Sequence, residues 1–568
     1  MSPLDNPDKN LNKSLYRDQI NKVAHSIKEI MSALKNLEAT SSMGDLEANA
    51  IEGTTTKSTK RIKGREARTL SKKWLVPFFI LGLLVAGIIF YRLFQGRSRF
   101  TGKEKSIAVL PFENIGSEKE NEYISDGVTQ EIIAHLSKIE DLHAVTGWTS
   151  ARLYKNTTKS IKDIGEELGV ASVVTGTIQK EADQLRVVAE LIDVNTEKRI
   201  WGDTYNRKWG EVLSLQAELS QVIATNLNTL LTQDEVRRIE SRVTNNTSAY
   251  EDFLKGKNSS FITTSDQAIL EKMTEEAEEH FKRAIEKDSS FALAWSMLGS
   301  TYMTTALSFD SIDRFQYYDK ALSAAIRGIT LGPDLSETNM YMGDILKSIT
   351  LNPFSSKPFL QKAIDLNPNN AEAYSLQGWL YMEMGEMRMA EKSFTKAMQL
   401  NPVSTQNAGN WLMYDFFSRK VDKLRTFSRD YSIGQSFEKI IKMYAYFLEE
   451  RYDSLVVTAE ENNFPQLMGI GYAKLGQTSK ALKLIDDLKA ELEVNWFGST
   501  TNAAFSNTHA DIAVIYAWLN EKEKAMDHLE SAYRLRERSL LGIRYNLLFD
   551  PLRSEPRFKE LVKRLGSE

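Results

Sequence analysis

AEAYSLQGWLYMEMGEMRMAEKSFTKAMQLNPVS, residues 371–404, sets the architecture of more than half of the chain. Tyr374, Gly378, Tyr381, Ala390, Phe394, Ala397 and Pro402 stand at offsets 4, 8, 11, 20, 24, 27 and 32 of a 34-residue unit. Gly378 and Ala390 are small enough to let two antiparallel helices approach. Tyr374, Tyr381 and Phe394 fill the space between them, and Pro402 ends the second helix. Such a pair cannot bury its apolar face alone, so the spacing predicts a stack of similar pairs.

The unit resembles the tetratricopeptide repeat, and looser copies surround it. Ala277, Phe281 and Ala284 read as a second helix whose partner lies in 248–260, and Trp295, Leu298, Gly299 and Tyr302 open the next pair. That pair carries an insertion at 307–316 before Ala321, Ala325 and Pro333. Met340, Gly343, Ala363 and Pro368 mark another, and His509, Ala513, Tyr516, Ala525, Leu529 and Ala532 a late one. Residues 405–500 hold degraded pairs, with Gly471, Gly476 and Ala481 as a remnant, and 549–565 read as a cover for the last pair. The expected all-α solenoid spans 248–566.

Upstream, 105–231 reads as a separate α/β unit. SIAVLPF (106–112) is an apolar strand closed by proline, followed by a polar loop and an amphipathic helix over 121–139. A second helix is expected over 161–168. Strands over 171–180 and 185–194 form a hairpin, a third strand covers 198–205, and a helix over 212–231 closes the unit. SIAVLPFENIGSEKENEYISDGVTQEIIAHLSKI and IGEELGVASVVTGTIQKEADQLRVVAELIDVNTEKRIWGDTYNR resemble the domain related to the amino-terminal domain of TolB in bacterial membrane signalling proteins. Asp126 and Gly127, Gly165, Gly169, Gly176, Trp201, Tyr205 and Arg207 stand where that pattern has them. The resemblance implies an order of parts: a membrane helix, this domain, then tetratricopeptide repeats. What precedes the membrane helix varies among such proteins and includes class III nucleotide cyclases, winged-helix DNA-binding domains and kinases.

The run WLVPFFILGLLVAGIIFYRLF (74–94) is the expected membrane helix. Its first 18 residues carry no charge and span about 27 Å, close to the hydrocarbon thickness. Lys57, Lys60, Arg61, Lys63, Arg65, Arg68, Lys72 and Lys73 oppose only Glu66 on its N-terminal side. This favours a cytoplasmic head (1–73) and an extracytoplasmic, periplasmic body, which places the chain in the inner membrane. The basic cluster is read as that orientation signal rather than as a DNA-binding arm, so no nucleic-acid partner is expected. Within the head, Ile20, Val23, Ile27, Ile30, Leu34 and Leu37 alternate by three and four along 14–38, a short coiled-coil seam suited to a homodimer. An amphipathic helix lying on the membrane or on a partner is the other reading. Residues 39–73 read as a basic linker.

The whole is a multidomain α+β chain: a single transmembrane helix, an α/β domain and an all-α solenoid. Its 72 Lys and Arg nearly balance 76 Asp and Glu, and it contains no cysteine, which excludes disulfides and thiolate chemistry. His25, His135, His143, His280, His509 and His528 do not fall at metal-ligand spacing, and no glycine-rich phosphate loop is present. Asp126 and Glu131 are read as a helix-start residue and a first-turn acid, not as an acid/base pair. The head is too short for a cyclase or winged helix. No catalytic residue, cofactor or metal is therefore assigned. Two functions stay open: a non-enzymatic membrane scaffold or sensor whose repeats bind a protein or peptide, and a regulatory component of a cyclase or transcriptional pathway without its own output domain.

Overall fold

The computed structural model describes residues 105–116, 122–145, 147–260, 267–308, 314–430, 435–496 and 508–566. The expected head helix and the apolar run 74–94 lie outside them. Among the described residues no helix is long and apolar enough to cross a membrane.

The α/β unit is built on strands β1 (Ser106–Val109), β2 (Glu113–Asn114), β3 (His143–Val145), β4 (Ser172–Glu181), β5 (Gln184–Asp193) and β6 (Arg199–Lys208). The sheet order is β3-β1-β4-β5-β6, with β2 pairing β4. β1 runs parallel to both β3 and β4, whereas β4, β5 and β6 form an antiparallel meander. One face alternates inward along β5: Leu185, Val187, Ala189 and Leu191 are fully buried, while Gln184 and Arg186 are exposed. Helices α1 (Glu122–Ser137), α2 (Trp148–Ala151), α3 (Ile161–Leu168), α4 (Val212–Asn226) and α5 (Gln233–Glu240) complete the unit. Ser160 caps α3 by accepting the N–H of Asp163.

Among the described residues seventeen helices follow, mostly as antiparallel pairs: α6 (Thr247–Ser260) with α7 (Gln267–Lys287), α8 (Ala292–Ser308) with α9 (Arg314–Leu331), α10 (Ser336–Thr350) with α11 (Lys357–Leu366), and α12 (Ala371–Glu383) with α13 (Met387–Leu400). The stretch 405–500 contains α14 (Thr405–Phe417), α15 (Val421–Asp430), α16 (Gln435–Leu448), α17 (Tyr452–Glu461), α18 (Pro465–Lys474) and α19 (Thr478–Trp496). The last pair is α20 (Thr508–Trp518) with α21 (Lys522–Arg534), and α22 (Pro556–Arg564) ends the described chain. A Cβ on Gly378 would lie 2.4 Å from the ring of Phe394, so contact between α12 and α13 at this distance requires glycine.

The two regions share one interior. Thirteen of the sixteen residues of α1 are buried, which requires cover from both sides. The sheet and α4 supply one side and the solenoid the other. A Cβ on Gly127 would meet Leu254 of α6 at 2.6 Å. Asn367 Nδ2 donates to Ser137 Oγ at 2.8 Å, and Asn369 Nδ2 donates to the carbonyls of Ile139 and Leu142 at 2.8 and 2.7 Å. Asn401 accepts from Ser150 Oγ, and Val403 packs on the cluster of Leu110, Ile164 and Val173. All three asparagines stand at the turns between helix pairs and are at most 5% exposed.

The C-terminal stretch also turns back. Phe549, Leu552, Phe558 and Leu561 join the core beneath α20 and α21. Arg538 Nη2 reaches Asp344 Oδ1 of α10 at 3.2 Å, and the Tyr545 ring stands 4.7 Å from that of Phe417.

Two substitutions test this packing. Gly378→Ala is expected to destabilise the full chain by about 1–3 kcal/mol in urea unfolding, because the buried Phe394 ring must move. Asn369→Ala leaves two carbonyls without their side-chain donor and should cost roughly 1–3 kcal/mol, with faster proteolysis after α1. Unchanged stability in either variant would contradict the contact concerned.

Candidate functional site

The repeat positions singled out from the sequence lie within and between helix pairs. Ala390, Phe394 and Ala397 of α13 are at most 1% exposed, and the Phe394 ring meets Trp379 edge-on at 6.0 Å and Tyr414 at 6.1 Å. Tyr381 is buried, Tyr374 half-buried, and Pro402 follows α13 by two positions. On α8, Gly299 faces the Ala321 carbonyl, where a Cβ would come within 2.9 Å. The Tyr302 ring lies 6.0 Å from Tyr317, and half-buried Trp295 donates through Nε1 to the Ser289 carbonyl at 3.0 Å. The seam residues Ile20, Val23, Ile27, Ile30, Leu34 and Leu37 lie outside the described residues.

The first helices of four consecutive pairs or pair remnants, α8, α10, α12 and α14, turn their inner sides towards α1. Between them lies a cavity of about 420 Å³. Ile133 and Ala134 of α1, Met297 of α8 and Met340 of α10 give it an apolar side, and Glu337, Glu372 and Ser375 a polar one. None of Trp295, Tyr302, Tyr374, Tyr381, Trp411 and Tyr414, the aromatics that a groove for a peptide would use, lines it. α1 thus stands across the cavity from the inner helices of these repeats, a juxtaposition that repeat periodicity does not encode.

The acids of α1 are committed to this packing. Asp126 and Glu131 lie inside the helix, which begins at Glu122, and neither is a helix-start residue. The reason is that Tyr123 and Ile124 already pack: Ile124 is fully buried and the Tyr123 hydroxyl donates to Glu251 of α6 at 2.8 Å. Asp126 pairs with Lys155 at 2.8 Å, and burial still raises its carboxyl above the usual range against the pull of that lysine. Glu131 pairs with Lys257 of α6 at 3.1 Å. Burial opposes its charge, but Lys257 first, and Lys138 with it, hold its carboxyl below the usual range. His135 is pushed down to about 3, by burial first and then by Lys138, and is a neutral core residue.

Two histidine contacts form that sequence spacing does not show. His509 of α20 and His528 of α21 meet with 3.0 Å between their Nδ1 atoms, and His280 Nδ1 stands 3.7 Å from Asp252 Oδ1. Sequence spacing missed the first pair because its members sit on two antiparallel helices. Burial, followed by the charge of His509, pushes His528 down to about 4. Nearby, Glu537 accepts the backbone N–H groups of His509 and Ala510 at 3.2 and 3.0 Å, and burial raises it to about 8. Among the described residues no group of three or more His, Cys, Asp or Glu is placed to hold a metal ion.

Comparison with known proteins divides the chain in the same way. Residues 103–226 match the family model of the HilA/YgeH-like transcriptional regulator, second domain, and 359–392 match a tetratricopeptide repeat model. A protein named putative adenylate cyclase 3, from Rhizobium meliloti (strain 1021), is 33% identical over 202 residues, which cover 35% of this chain and 33% of that protein. The chain thus spans about a third of the length of this curated relative. A tetratricopeptide repeat protein from Parabacteroides merdae ATCC 43184 aligns over 56% of this chain and 99% of its own, with 16% identity and a TM-score of 0.28. MamA aligns over 34% and 97%, with 20% identity and a TM-score of 0.22. Overlaps this low carry no argument of their own. The chain contains tetratricopeptide repeats, and it is similar over residues 103–226 to the second domain of HilA-like regulators.

Proposed function

We propose that the chain is a non-enzymatic, single-pass inner-membrane signalling protein that acts by protein interaction. Its head would be cytoplasmic and paired through the seam around Ile27, and its body periplasmic. The observation that carries this reading is the docking of an α/β domain of a regulator-associated type onto a tetratricopeptide solenoid. With α1 standing in front of the inner helices of the early pairs, the partner surface is the outer face of the repeats together with the solvent side of the β4–β6 meander. The likeness of 106–207 to the TolB-related domain, with its usual place between a membrane helix and repeats, supports the same order of parts.

A second reading also has specific support. The partial match to a protein named as an adenylate cyclase, and the match to a regulator's second domain, favour a component of a nucleotide or transcriptional signalling pathway. The two readings differ in what the head contacts.

Site-specific cross-linking of the full chain in intact cells, with tags after Ser2 and after Glu568, tests the proposal. Expected are cross-linked heads, lost in Ile27→Asp, and a C-terminal tag that protease reaches once the outer layer is opened. A tag protected until the inner membrane is breached, or heads cross-linked equally in the variant, would overturn it.

A further inference from the structure

The cavity between α1 and the inner helices has an imbalance of hydrogen-bonding groups. Most of its neutral polar side chains are committed to each other or to backbone. Ser375 Oγ donates to Asn407 Oδ1 at 2.7 Å, Asn407 Nδ2 to the Ala397 carbonyl at 3.0 Å, and Asn370 Nδ2 to Ser336 Oγ at 3.1 Å. The wall's lysine, Lys257, is engaged by Glu131. What remains uncommitted is a set of acceptors. Glu337 of α10, whose charge acts on Lys138 after α1, and Glu372 in the first turn of α12 line the cavity, and neither makes a salt-bridge contact among the described residues. Gln130 of α1, also in the wall, is only 7% exposed, and its Oε1 has no hydrogen-bond partner there. The Glu372 side chain is exposed where the cavity opens, on a helix packed among acidic neighbours. Burial, then the charges of Asp344 and Glu337, pushes its carboxyl up to about 7.

The buried, unpartnered oxygen of Gln130 is costly, and the repulsion between the two carboxylates adds to that cost. A ligand that relieves both must bring donors and positive charge. The apolar side of the cavity, with Ile133, Met297 and Met340, calls for methylene groups as well. The volume is within the range of small-molecule sites, about 300–1,000 Å³.

We propose that this cavity binds a small organic cation, a di- or polyamine whose ammonium groups are held by Glu337 and Glu372 and whose aliphatic chain lies against Ile133, Met297 and Met340. Because α1 forms one wall and the repeats the other, the ligand ties the α/β domain to the solenoid and stabilises their union by mass action. This does not depend on the protein-interaction role, and either can fail without the other.

The probe is spermidine, titrated by calorimetry into the full chain in detergent. Saturable binding is expected, weakened more than about tenfold, ~1.4 kcal/mol, in Glu337→Gln and in Glu372→Gln. Glu166→Gln, on the exposed side of α3, should bind as the parent does. The groups facing Glu372 are Glu337, Tyr341 and Asp344 from α10 and Lys257 from α6. The amine binds the ionised carboxylate, so affinity should rise as pH rises through about 7 and stay flat in Glu372→Gln. Glu372→Gln removes a disfavoured charge and should fold with an unchanged or higher Tm. Gln130→Leu, which leaves both carboxylates in place, is expected to weaken binding as well. No saturable heat with the parent chain, binding undiminished in the two glutamate variants, or an equal loss in Glu166→Gln would overturn the assignment.

Discussion

Asn367, Asn369 and Asn401 hold the arrangement together. Each stands where a repeat's second helix has just ended, and each points its carboxamide into the α/β domain instead of into solvent. The loop leaving α1 has carbonyls at Ile139 and Leu142 that need donors inside the protein, and one side chain, Asn369, serves both. A buried carbonyl that loses its partner costs about 1–3 kcal/mol, so these bonds determine orientation more than they add net stability. The tetratricopeptide turn, usually a surface feature, has become an interface here.

Everything on the inner side of the solenoid follows from that seating. α1 lies against α6 and faces the next first helices across the cavity, so Gly127 must be small against Leu254, and Glu131 needs Lys257. Further along, Lys347 of α10 and Glu383 of α12 form an almost fully buried pair at 3.3 Å, with Arg538 of the C-terminal stretch bound to neighbouring Asp344. Removing one member of a buried pair costs more than the pair contributes, so these contacts specify how the chain closes on itself. The cavity beside α1 is the space this closure leaves. Its polar atoms are unevenly matched because its walls come from different elements, each satisfied mainly within itself.

What was legible in the sequence was local. The spacing of Gly378, Ala390 and Phe394 repeats within one helix pair and needs no knowledge of its neighbours. Helix α3 was equally readable, since Ile164 and Leu168 mark its buried side and Gly169 ends it in the left-handed conformation. The three residues of β3 were not, because so short a strand shows no alternation and exists only through its parallel pairing with β1. Between 405 and 500 only a remnant of the repeat's small residues is left, such as Gly471 against Val456 and the buried Ala481, and aromatic contacts such as Phe416 stacked at 4.1 Å on Tyr444 fill the remaining space. Asn367 and Asn369 flank the Pro368 that marks a repeat, yet their partners lie some 230 positions upstream. His509 and His528 were likewise apart in sequence and are brought together by antiparallel packing. The site was illegible for the same reason: each of its residues is ordinary within its own helix, and the chemistry arises where α1 meets the repeats.

Hydrogen exchange on the full chain tests most directly whether α/β domain and repeats are one body. Phe394→Leu loosens the core between α12 and α13 without touching the α/β domain. Coupling through α1 predicts that amides of Gly127–Leu136 exchange faster in this variant, by a factor close to that seen in α13. Faster exchange confined to the repeats, with α1 unchanged, would contradict a shared interior.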